Sequence, residues 1–258
     1  MPNPTPEKRP RIRTVNRVQP PYPLNIFPRD FALNVGREIV YILATDPLCG
    51  LPGRQPDIEG RVWERIFAVA IGAEWKPSNV GLDDVILGNC AWGAKTVKGN
   101  KPFEITKIRL ISGRNSPAYS FDERDMQRDP QSIGSDVLKI WNERVGNLRA
   151  RYAHMRTVVL IKGPDLSEFT AFETETIMYP PDQFQWKMNK RKNLEGYDRQ
   201  TNQHRFTWQF TGSQFTIIEN VPTNRLRFSV RRPPHLSATE VLKEMSFDPS
   251  WIRVHHGE

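Results

Sequence analysis

Asp84 opens the apolar run Val85-Ile86-Leu87, and Lys95 sits inside the next one, Ala91-Trp92-Gly93-Ala94-Lys95-Thr96-Val97. Both runs are short and β-rich, and Gly88-Asn89 splits them, so pairing as adjacent strands would let the two side chains converge. A carboxylate is a hard oxygen ligand for a divalent cation. An ammonium beside it can steady the charge that develops on a phosphate or orient a water. Together they are equipment for hydrolysing a phosphodiester. Taken singly, each has a plainer reading: Asp83-Asp84 as a strand-start or turn pair, and Lys95 as an edge-strand gatekeeper.

The elements that must position this pair can be read from periodicity. Residues 30–45 read as a helix with Asp30 as N-cap. Residues 57–73 form the clearest helix, with Ile58, Val62, Trp63, Ile66, Phe67, Val69 and Ala70 on one broad face and Gly72 at its end. Strands follow at about 83–88 and 90–98, with a third at Lys107 to Ser112. A second good helix spans 132–150, capped by Ser132 or Ser135, and Arg156 to Lys162 reads as a buried strand. The remainder is mostly β: Phe169 to Met178, Gln183 to Met188, His204 to Phe210, Gln214 to Ile218 and Arg225 to Val230, with a hairpin around Thr211-Gly212-Ser213 and a last helix from Ser237 to Met245.

Helix, three strands, helix, strand resembles the PD-(D/E)XK nuclease fold over roughly residues 56–162. The resemblance implies an α/β protein, with a central mixed β-sheet flanked by helices and a β-rich C-terminal half. In that family an Asp begins the second strand and an acid-x-Lys lies on the third. Asp84 takes the first position and Lys95 the last, while Gly93 stands where the family has Asp or Glu. The resemblance makes Asp84 and the carbonyl of Ala94 metal ligands, with Mg²⁺ as cofactor, and requires a further acid. Gly60-Arg61-Val62-Trp63-Glu64-Arg65 is similar to the opening helix of archaeal Holliday junction resolvases and to the Phe-Glu helix of Mrr-type restriction enzymes, which puts Glu64 first. Periodicity instead places Glu59 near the centre of the apolar face, and Glu104, nine residues past Lys95, is a third option.

Composition is compatible with this and excludes little. The chain has 258 residues, with 38% apolar, 26% charged and a net charge of +8, so it can bury a core and favours a polyanionic partner only weakly. Two cysteines, Cys49 and Cys90, are too few for a disulfide framework, which fits a reducing cytoplasmic setting. No apolar run approaches about 18 residues, so no membrane partner is expected. Five histidines show no zinc or nuclease spacing.

Residues 1–23 read as a basic Pro/Arg-rich arm, and 24–258 as one domain, with the core at about 56–162 and β-rich recognition elements at about 163–235. Arg and Lys suit phosphates and guanine edges, Asn and Gln suit adenine. On those grounds Arg114 and Asn115, the stretch Lys187, Asn189, Lys190, Arg191 and Lys192, and Arg205, Gln209 and Gln214 are the candidate DNA-binding residues. Trp208 and Phe215 are expected in a core. The expectation is a type II restriction endonuclease that cuts double-stranded DNA, works as a homodimer and has a cognate DNA methyltransferase as genetic partner. The alternatives are a structure-specific or non-specific repair nuclease of the same fold, or a non-catalytic DNA-binding protein.

Overall fold

The computed structural model describes residues 19–46, 56–77, 82–114, 128–210 and 214–253. Helix α1 spans Phe31–Thr45 and α2 spans Gly60–Ile71. In α2 the residues Trp63, Ile66, Phe67 and Ala70 recur at helical spacing and are all buried. Gly72 ends it in a left-handed conformation (φ 68°), its N–H reaching back to the carbonyls of Ala68 and Val69. The third long helix, α3, spans Pro130–Arg149. Its cap is Asp129, whose side chain accepts from the Ser132 N–H, rather than Ser132 or Ser135.

A six-stranded mixed sheet is built from β1 (Glu74–Trp75), β2 (Val85–Leu87), β3 (Cys90–Lys98), β5 (His154–Lys162), β6 (Glu168–Glu175) and β11 (Leu226–Ser229), in the order β1-β2-β3-β5-β6-β11. Only β3 and β5 pair in parallel, in register from Cys90↔His154 to Lys98↔Lys162. A parallel pair needs a long crossover, and α3 lies within it. A second, five-stranded antiparallel sheet runs β4 (Lys107–Arg114), β10 (Gln214–Asn220), β9 (His204–Gln209), β8 (Leu194–Asp198) and β7 (Phe184–Met188). A short helix α4 (Ala238–Glu244) follows β11. No helix among the described residues is long and apolar enough to cross a membrane.

Two expectations change here. Lys107 to Ser112 is a strand, but it belongs to the second sheet, and the core sheet's extra strand is the two-residue β1. Ile108 and Leu110 of β4 pack over Val159, Ile161 and Phe172, so this strand is stacked on the core sheet instead of extending it. β8, for which no strand was expected, is fully paired between β7 and β9. The hairpin is present as the β9–β10 pair, with its turn outside the described residues.

The core sheet buries both faces. On one, α1 and α2 pack Val35, Trp63 and Phe67 against Cys90, Trp92, Ala94 and Leu160. On the other, α3 and the second sheet cover Ala91 and Met155, with Trp208 and Phe215 in that cluster as expected. Alternation along β3 therefore assigns Lys95 and Gly93 to the α3 side with Ala91.

The N-terminal stretch is tied down from Tyr22, inside the segment read as an arm. Glu173 is 1% exposed and accepts from Arg156 (3.1 Å), Trp92 Nε1 (2.6 Å), Tyr22 Oη (3.0 Å) and Asn25 N (3.3 Å). Burial still pushes its carboxyl above the ordinary range, against the pull of Arg156. Removing Arg156 leaves a buried, uncompensated charge. Arg156→Met should therefore lower unfolding free energy by about 3–5 kcal/mol in urea denaturation at pH 7.

Candidate active site

Asp84 is placed by the end of a ladder. β2 pairs with β3 only from Leu87↔Cys90 to Val85↔Trp92, after which the two strands part. At that fork the Asp84 Oδ2 accepts from the Ala94 N–H at 3.1 Å, taking the role of the main-chain carbonyl that a longer β2 would have offered. On the other side the Asp84 carbonyl accepts from Lys76 N–H at 2.8 Å. In a strand the N–H and C=O of one residue point to the same side. The Ala94 carbonyl is thus also directed into the fork, beside the carboxylate.

The carboxylate is 2% exposed. Burial raises its pKa to about 6. The Lys95 ammonium opposes that rise, and the charges of Glu64 and Asp83 add to it. Lys95 is half-buried and makes no hydrogen bond or ion pair with any described residue. Glu64, 8% exposed on α2, accepts from Trp75 Nε1 at 3.2 Å. Asp83 is committed differently, to Lys76 at 3.4 Å and Arg151 at 3.5 Å. Asp84, Lys95 and Glu64 therefore share one electrostatic neighbourhood.

The other acids considered do not join it. Glu59 is exposed at the N-cap of α2, where it acts on Lys162 at the far end of β5. Glu104 is exposed and paired with Lys101 at 3.1 Å.

Among the described residues no group of three His, Cys, Asp or Glu is placed to hold a metal. What the fork offers is Asp84 and the Ala94 carbonyl, with Glu64 on α2 near enough to act on Asp84 electrostatically. That is an all-oxygen donor set with few protein ligands, which fits a cation that keeps several of its waters, as Mg²⁺ does. A Cβ on Gly93 would lie 3.4 Å from the Leu82 carbonyl oxygen, so a β-carbon fits at the position where the expected acid is missing.

Compared with family models, with curated proteins and with solved structures, the chain matches none.

The expected DNA-binding residues divide by the pleat of the second sheet. Phe206 and Trp208 point inward, so Arg205 and Gln209 lie on the opposite face of β9, with the buried Thr207 between them. Gln214 is the register partner of Gln209 and of Arg114, and Lys187 is exposed on β7. An open cavity of about 430 Å³ is lined by Arg109, Asn189, Lys190, Arg191, Gln209 and neighbouring residues. Arg109 was missed by sequence reading. The alternation of Ile108 and Leu110 inward could have found it, since Arg109 between them must face out; it donates to Thr207 Oγ1 at 3.0 Å.

Two of these expectations are corrected. The Asn189 side chain is spent on its own turn, accepting from Arg191 N and Asn193 N and donating to Glu195, so it is not free to read a base. Arg114 lies in the second sheet, not at an edge of the core sheet near Lys95, and Asn115 lies outside the described residues. Lys192 holds a left-handed turn conformation (φ 58°). Arg205 faces Glu219 at 3.4 Å.

The buried Asp84 makes a stability prediction. Its folded pKa lies above the unfolded value, so the folded state binds the extra proton. The stabilising contribution is full below about pH 4 and is lost as pH rises through about 6. Asp84→Asn should remove that pH dependence and, at pH 7, raise unfolding free energy by about 2 kcal/mol, as read by urea denaturation without divalent cations.

Proposed function

We propose that this chain is a Mg²⁺-dependent endonuclease for double-stranded DNA, of the PD-(D/E)XK kind and working as a type II restriction enzyme. One observation carries the reading: a buried carboxylate, Asp84, lies in the field of a half-buried lysine, Lys95, that has no ion pair among the described residues, at the point where two strands diverge. A structural ion pair would close that distance or neutralise the acid by other bonds. Here both groups keep capacity for something else. In its support, β2 and β3 are adjacent and antiparallel and α3 lies in the crossover to the parallel β5, although β4, the expected third strand of that core, belongs to the second sheet.

Asp84, Glu64 and the Ala94 carbonyl would hold the ion. Mg²⁺ bound there would polarise a phosphoryl oxygen and lower the pKa of a coordinated water. Lys95 supplies what the protein itself contributes: a fixed positive charge against the negative charge that develops on the scissile phosphate, in a site with little water to screen it. Asp84 must be deprotonated to act as ligand, so activity should rise with pH through about 6 in the metal-limited range. The solvent face of the second sheet, with Arg109, Lys187, Lys190, Arg191 and Gln209, supplies cations for phosphates and forks for base edges.

A second reading has its own observation. Gly93 and the sparse donor set at the fork also suit a non-catalytic DNA-binding protein. A digest separates them. Unmethylated DNA of diverse sequence, with Mg²⁺, should give discrete fragments. A smear would point to a non-specific nuclease, and intact DNA to the non-catalytic reading. Asp84→Asn, Lys95→Ala and Glu64→Gln should each lower the cutting rate by about 10²-fold or more without loss of fold; full activity in either of the first two would refute the site.

A further inference from the structure

The C-terminal segment carries large apolar side chains that stay exposed. α4 has no buried residue, and Leu242, Met245, Trp251 and Ile252 are all exposed, Ile252 to 65%. Yet the segment is well specified. Ser237 and Glu240 close a capping box at the start of α4, and Phe247 packs edge-on against Trp251 at 5.5 Å. A seven-residue helix does not hold its shape in water on its own capping alone. It needs an apolar surface to lie on.

Such a surface exists on the same chain. α1 and the edge strand β11 enclose an open groove of about 560 Å³, lined by Leu33, Arg37, Val40, Phe228, Val230 and Arg231, among others. Leu33 is 59% exposed, and β11 ends the core sheet. The charges are complementary. Arg37 and Arg231 have no ion-pair partner among the described residues, and neither has Glu244 of α4. No α4 residue lines the groove of its own chain, and Leu236 N donates to Ala44 O, which holds the start of the segment beside the C-terminal end of α1.

We propose that two copies of this chain form a dimer by reciprocal exchange, the α4 segment of each lying in the α1–β11 groove of the other. Leu242 and Met245 fill the apolar floor, and Glu244 meets Arg37. The contact is isologous, so each groove–helix pairing is made twice and the assembly closes at two. The inference does not depend on the nuclease reading.

Sedimentation equilibrium of the full chain, without DNA or metal, tests it. The wild type should be a dimer at micromolar concentration. Leu33→Asp and Leu242→Asp, one on each side of the contact, should each weaken dimerisation about tenfold or more, with far-ultraviolet circular dichroism unchanged. Arg37→Glu and Glu244→Arg should each weaken it, and the two combined in one chain should restore it. A monomer at every concentration would overturn the proposal, as would a dimer indifferent to Leu33→Asp and Leu242→Asp. So would a monomer destabilised by Leu242→Asp, since α4 would then lie on its own chain.

Discussion

The parallel pairing of β3 with β5 constrains the rest of the molecule. Nine residues of each strand are locked in register, from Cys90↔His154 to Lys98↔Lys162. Parallel strands cannot be joined by a tight turn, so the chain must leave the sheet after Lys98 and return at His154. That excursion carries β4 and α3, and it sets the second sheet over the same face. β3 is paired on its other side only as far as Trp92. The central strand of the core is thereby left half-open at Gly93 and Ala94, where the Asp84 carboxylate enters.

That opening has an energetic character of its own. Elsewhere the buried charges are matched: Arg156 with Glu173, and Lys162 with Asp57. At the fork a carboxylate 2% exposed is held by one hydrogen bond, near a lysine that does not touch it. A fold selected for stability alone would replace Asp84 with a neutral side chain of the same shape. Retaining an under-compensated acid at the point where a strand ladder ends is the kind of cost that sites with chemistry to do carry.

Much of this was legible in the sequence, for physical reasons that differ by element. α2 and α3 show a 3.6-residue apolar period, and β5 is a β-branched run, so each declares itself. The Asp84–Lys95 pair was legible because the strands that hold it are adjacent and the turn at Gly88-Asn89 is short. Glu64 was placed by resemblance, against a periodicity that favoured Glu59; Glu64 is covered by Trp75, and a two-residue strand has no period to read. The partner sheet of Lys107–Arg114 was not legible either. A strand's alternation shows which residues face inward, not which sheet it joins, and β4 pairs with β10 a hundred residues later. Asn189 looked like a base reader because its bonds to its own turn depend on β8, which the basic composition around it concealed.

The fork at Asp84 is proposed to hold a divalent cation. Isothermal titration calorimetry of Mg²⁺ into the wild type and Asp84→Asn tests it without needing a substrate. Asp84 has its pKa near 6 when no metal is bound, so binding measured at pH 6 in buffers of different ionisation enthalpy should release a fraction of a proton. That release should vanish at about pH 8. Asp84→Asn should abolish the site. A wild-type chain that takes up no Mg²⁺ at pH 7.5–8, or an Asp84→Asn variant that binds it equally well, would contradict the assignment.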